Sequence, residues 1–165
     1  MHYYCNKTDQ SPHKLQPGVY SVSNSHLDNP WIKTTHTKDA LAEILTTNPD
    51  EKSKAELTDE ILRVMTNDIP LSQTSPLDET SITQEKLYAT LPELVCVKTP
   101  VYGTRSQTVI LVDSQGEVTY TEHYLTEPID AKNRVWKTDT VTFRLDSCRE
   151  DDSVACESTK TNSAL

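Results

Sequence analysis

Residues 101–123 read VYGTRSQTVILVDSQGEVTYTEH, and this stretch decides the fold. Two runs of β-formers flank Ser114-Gln115-Gly116, the pattern of a hairpin over roughly 106–113 and 117–125. In the first run Val109 and Leu111 alternate with Thr108, Ile110 and Val112, so both faces of the strand are apolar. Such a strand is expected to be buried on two sides. Arg105 stands between a glycine-containing turn and this apolar run. Its guanidinium fork suits a carboxylate if the sheet holds it in place. A strand-end charge, salt-bridged or exposed to water, is the other role open to it.

Upstream, HYYC (2–5) reads as the tail of a strand, and GVYSVSN (18–24) as a short strand ending in a polar turn at Ser23-Asn24-Ser25. Pro30 fits the first turn of a helix that carries Trp31. From Thr37 the residues Ala40, Leu41, Ile44 and Leu45 share one helical face, and Asn48-Pro49 stops the pattern. A second helix opens on a capping box, Ser53 with Glu56, and carries Leu57, Ile61, Val64 and Met65 at helical spacing. Residues 68–85, rich in Ser, Thr, Pro and acid, are expected to form a mobile surface loop that contains Ser75-Pro76. A helical turn over 86–91, a strand from Leu94 to Val97 and a last strand from Thr140 to Leu145 complete the pattern.

This order predicts an α+β fold of mainly antiparallel strands with two helices on one face of a sheet. Residues 1–145 form the domain, and 146–165, almost without apolar residues, are expected to be a disordered tail. Two helices cannot cover both faces of the sheet and also supply a second one, so the chain lacks a layer.

Composition agrees. Only 35% of the 165 residues are hydrophobic, and mean hydropathy is -0.61. A typical globular domain is roughly 45–50% apolar. The formal net charge of -9 and the absence of a basic run argue against a nucleic-acid partner. No run of about 18 apolar residues predicts a transmembrane helix. The polar start, MHYYCNKTDQ, lacks the apolar core of a signal peptide, so a cytoplasmic location is expected. Cys5, Cys96, Cys148 and Cys156 have no zinc-site spacing, and no disulfide framework or metal site is expected. Three glycines cannot make a phosphate-binding loop, and no serine sits in a nucleophile-elbow pattern. The five histidines are scattered in polar surroundings. Asn24, an amide in a turn, can donate to an oxyanion or satisfy the turn backbone.

Two separated segments, LQPGVYSVSNSHLDNPWIKT (15–34) and CVKTPVYGTRSQTVILVDSQGEVTYTEH (96–123), resemble the C-terminal half of the transport and Golgi organisation protein 2 family, the NRDE-domain proteins. The resemblance covers residues 1 to about 145 and implies half of an αββα sandwich similar to the N-terminal nucleophile hydrolases. Relatives in that superfamily cleave amides with a cysteine at the mature N-terminus. Here the chain starts Met1-His2, the family's leading Met-Cys and Asn-Arg-Asp-Glu motif are absent, and Cys5 falls within the presumed first strand. A truncated protein without catalysis of its own is therefore expected, its partners being the other half of the domain and an unknown protein or small metabolite. By position Asn24 resembles an oxyanion-binding asparagine and Arg105 a pocket-lining arginine. The candidate pocket is Asn24, Tyr102, Gly103, Thr104 and Arg105, with no catalytic residue. The family implies roles in Golgi organisation, secretion and movement of haem or acyl-lipid metabolites, with Golgi or mitochondrial association. No cofactor is expected; haem would be cargo, without a motif to support it, although His26 lies near the presumed pocket. Alternative readings are part of a cysteine-dependent amidase or acyltransferase, and an independent protein-binding module.

Overall fold

The structure, a computed structural model, describes residues 1–7, 11–47, 51–73, 75–78, 82–100, 102–130 and 132–145. The expected tail and the Asn48-Pro49 stop lie outside the described residues. An α+β architecture is adopted, with a two-stranded sheet, three helices and a three-stranded sheet in chain order.

Strands β1 (His2–Tyr3) and β2 (His13–Lys14) pair antiparallel through two residues each. Of HYYC, His2 and Tyr3 form β1, and Cys5 lies beyond it. Helix α1 spans Ile32–Thr46, joining the helix start expected at Pro30-Trp31 to the periodic pattern expected from Thr37. Trp31 is its N-cap and offers no side-chain cap. The helix start is held from outside instead, because the Lys33 N–H donates to the Pro92 carbonyl at 2.9 Å. Helix α2 spans Lys54–Met65 and carries the expected capping box between Ser53 and Glu56. The helical turn expected at 86–91 is a full helix, α3 (Gln84–Thr90), capped by Thr83.

Two expected strands do not form. GVYSVSN has no ladder partner among the described residues; Ser21 Oγ bonds Thr37 Oγ1 on α1 at 3.2 Å, and Tyr20 donates to the Gln16 carbonyl. Leu94 to Val97 is an apolar run buried without a neighbouring strand. Its backbone bonds go to loops, with Cys96 N–H donating to the Asn67 carbonyl at 2.9 Å. The run belongs to the small core that Leu87, Leu94 and Val97 form with Leu77, Ile82 and Leu91. Burial rather than strand pairing selected these apolar residues. The described part of the expected 68–85 loop is irregular up to α3, but it is anchored: Pro70 is fully buried, and Asp68 pairs with Lys98 at 2.8 Å.

The main sheet is the meander β3 (Ser106–Val112), β4 (Glu117–Leu125) and β5 (Trp136–Arg144), in the order β3-β4-β5. β5 begins four residues before the expected Thr140. The β3–β4 turn is fixed by Asp113, whose Oδ1 accepts the N–H groups of Gln115 and Glu117 at 2.9 Å each. Gly116 takes φ +76° there, a conformation that costs any other residue a Cβ clash. Lys54, the first residue of α2, reaches this turn and pairs with both Asp113 and Glu117. That contact and the bond from Gln107 Nε2 to the Met65 carbonyl, 2.9 Å, hold both ends of α2 on the sheet.

Only one face of the sheet is therefore covered. On it Gln107, Val109, Thr119 and Thr121 are buried. On the other, Ile110 (58%), Val112 (56%), Val141 (58%) and Phe143 (48%) remain exposed, although Val118 among them is buried. The expected two-sided burial of β3 is not met within this chain, because no described element lies against that face. Among the described residues six hydrophobic side chains are buried, against fifteen exposed large ones, four of which share this sheet face.

Just before β3, Gly103 bridges Lys98. A Cβ built on Gly103 would lie 2.7 Å from the Val97 carbonyl oxygen, a backbone atom with no side-chain freedom to yield. Gly103→Ala should destabilise the chain by about 1–3 kcal/mol, the usual range for overpacking; an unchanged urea midpoint would show that the loop adjusts without cost. Hydrogen bonds from Lys54 and from the turn backbone hold the Asp113 carboxyl down at about 2, below its ordinary 3.8. A depressed carboxyl stabilises the fold fully above its unfolded value and loses that contribution as pH falls through the folded one. Asp113→Asn should therefore shrink the loss of stability between about pH 4 and pH 2. Parallel urea-midpoint curves for the two proteins over that interval would rule the latch out.

Candidate functional site

The loop from Val97 to Arg105 builds the site. Thr99 is buried, and its Oγ1 donates to the Tyr102 carbonyl at 2.6 Å and accepts the Tyr102 N–H at 3.1 Å. The Thr99 N–H also donates to the Tyr102 carbonyl, at 3.0 Å. These bonds close a tight loop with Pro100 at its tip. Below it Thr104 N–H donates to the Val97 carbonyl at 2.7 Å, and Thr104 Oγ1 accepts the Val97 N–H at 3.0 Å. The Thr104 hydroxyl is thus committed to the loop. Gly103 contributes the close backbone approach, and Tyr102 the exposed ring, 60% accessible.

Arg105 follows directly. Its carbonyl accepts the Leu125 N–H at 2.9 Å, which ties its backbone to the end of β4. The side chain points away from the ladder and pairs with Glu127, both side chains being about two-thirds exposed (68% and 67%). An ion pair this open contributes little to stability.

Two cavities meet at the loop tip. One, about 620 Å³, lies between the loop and the β4–β5 connection; Tyr102, Gly103, Thr104 and Arg105 line it with Glu127, Ile129 and Arg134. Arg134 Nη2 donates to the carbonyl of buried Thr99 at 3.0 Å. The other, about 590 Å³, holds Asn24 and Tyr102 with the α3 residues Leu87, Tyr88 and Leu91. Tyr102, Thr99 and Pro100 border both. Tyr102, Gly103, Thr104 and Arg105 thus line one cavity, while Asn24 lines the neighbouring one, which Tyr102 also borders. Sequence reasoning missed Glu127 and Arg134, because the segment between β4 and β5 carries no periodicity or motif that would mark them.

The remaining reactive groups sit elsewhere. Cys96 is buried, and burial pushes its thiol up, away from the thiolate form. Cys5 Sγ lies 3.5 Å from His26 Nδ1, and neither residue lines the two cavities. A third cleft, between α1 and α2, is lined by His36, Glu43 and Arg63, and its Lys52 and Glu60 pair at 2.6 Å. Among the described residues no group of three or more His, Cys, Asp or Glu side chains could hold a metal ion. No described helix is long and apolar enough to cross a membrane.

What this arrangement offers chemically is recognition: a cationic fork and an aromatic ring in one cavity lining, on a backbone fixed by the sheet. A sequence model of the Transport and Golgi organisation 2 family matches residues 1–127. Over 150 residues the chain is 33% identical to the Transport and Golgi organization 2 homolog of Mus musculus. Identity to the Transport and Golgi organization protein 2 homologs of Bos taurus and Homo sapiens is 35% and 34%. Each match covers 88% of this chain and 51% of the relative, so the chain spans about half the length of the curated relatives it matches. On these matches the chain belongs to the Transport and Golgi organisation 2 family.

Proposed function

We propose that this chain acts as one part of a two-sheet family domain that binds a small-molecule cargo and serves transport and Golgi organisation. In this reading the exposed face of β3-β4-β5, with Ile110, Val112, Val141 and Phe143, receives a second sheet from the part of the family domain that the chain does not span. The assembled fold is then the αββα sandwich of the N-terminal nucleophile hydrolases. The uncovered apolar face is the observation that carries the reading. That the chain spans about half the length of its relatives supports it. Burying these four half-exposed side chains would stabilise the assembly by about 1–2 kcal/mol each, enough to favour docking over an open edge.

The Tyr102–Arg105 cavity supplies the cargo site, and this chain alone performs no catalysis. Haem and acyl-lipid metabolites are the cargoes that the family resemblance suggests, moved between cytoplasm, Golgi and mitochondrion in support of secretion.

The test is reconstitution. The chain would be co-expressed with the N-terminal half of the human relative, and co-purification and binding of an apolar-surface dye measured. A one-to-one complex with dye binding reduced several-fold is expected, and Val141→Asp with Phe143→Asp should abolish it. A chain that stays alone, unfolds cooperatively and is indifferent to both substitutions would instead be an independent module.

A further inference from the structure

We propose that the cavity between the 97–105 loop and the β4–β5 connection is an organic-anion site. Arg105 and Arg134 would take a carboxylate or phosphate head, and Val97, Leu125 and Ile129 an apolar body. The inference deepens the small-molecule part of the reading above and rests on it.

Three observations converge. First, two of the chain's five arginines line one cavity in a protein whose formal net charge is -9. An acidic surface repels anions on average, so a local pair of guanidiniums is what a particular anion would find. Second, Arg134 is held at its guanidinium and Arg105 at its backbone, the Arg105 side chain staying about two-thirds exposed (68%). A planar fork held in place loses less freedom when it binds a carboxylate or phosphate. Third, Glu127 already presents a carboxylate to Arg105 from within the same lining. That carboxylate marks the position a ligand's head would occupy, and its pair is open enough to solvent for a ligand to displace it.

The wall decides the rest of the ligand. Val97 is buried, Leu125 half-buried and Ile129 37% exposed, so one side of the cavity is hydrocarbon. A volume near 620 Å³ falls within the roughly 300–1,000 Å³ of small-molecule pockets. Inorganic phosphate would use the arginines and leave this wall wet. A head joined to a short alkyl body uses both.

The experiment titrates the full chain with octanoate, octyl phosphate and octanol by calorimetry, with circular dichroism to check folding. Octanoate and octyl phosphate should compete for one site, and their relative affinity identifies the preferred head. Arg105→Gln and Arg134→Gln should each weaken both anions by about tenfold, as loss of a charge-assisted fork does. Glu127→Gln should tighten them severalfold by removing the internal competitor. Octanol should bind weakly and equally to all variants. Octanol binding as tightly as octanoate, or anion affinity unmoved by Arg105→Gln and Glu127→Gln, would overturn the assignment. Should Arg134→Gln unfold the chain, the other two variants decide alone. None of these substitutions touches the exposed sheet face, so failure here is distinguishable from failure of reconstitution.

Discussion

A β-sheet with apolar side chains on both faces must be covered twice, and this chain covers its sheet once. Most of the architecture follows from that constraint. α2 is held on one face at both ends, by Lys54 at the hairpin turn and by the Met65 carbonyl at Gln107. The opposite face offers Ile110, Val112, Val141 and Phe143 to solvent. The buried apolar cluster lies away from the sheet, around α3 and the Leu94–Val97 run, and is small. A domain of this length would ordinarily bury far more of its apolar surface. Four of the exposed apolar side chains share one sheet face, which makes that face the largest contiguous part of the deficit within the sheet.

The same sheet places the site. Arg105 is aligned because its backbone extends the β3–β4 ladder by one bond, and Tyr102 is aligned because Thr99 satisfies three backbone groups of a tight loop. Neither side chain is held by burial. Precision comes from main-chain bonding beneath exposed side chains, an arrangement that leaves the recognising groups accessible.

How far the sequence disclosed this depended on whether a signal was local. The capping box of α2, the Gly116 turn and the β3–β4 hairpin are set by residues within a few positions of one another, and each was legible. The start of α1 was legible from Pro30 and Trp31, but not its support, because the Lys33 N–H is answered by Pro92, far along the chain. Leu94–Val97 looked like a strand because a buried irregular run and a buried strand share the same apolar composition. At the site, Tyr102 to Arg105 announced themselves through a glycine and a charge beside an apolar strand. Arg134 and Glu127 did not, since only the register of β4 with β5 brings their connection over the 97–105 loop. The separation of Asn24 from Arg105 by one tyrosine ring is likewise a three-dimensional fact that no spacing encodes.

The β3-β4-β5 meander has one more consequence, which concerns time. Each strand pairs with its neighbour in sequence, from Val112↔Val118 to Leu125↔Trp136. Sheets of this kind close short loops and fold fast compared with sheets that pair distant segments. The covering helix α2 must arrive from more than forty residues upstream, through Gln107 and Met65. The apolar face can therefore exist as a formed template before any second layer meets it. In the proposed two-sheet assembly, a second layer would dock onto a surface already in register, at a rate governed by encounter rather than by strand pairing.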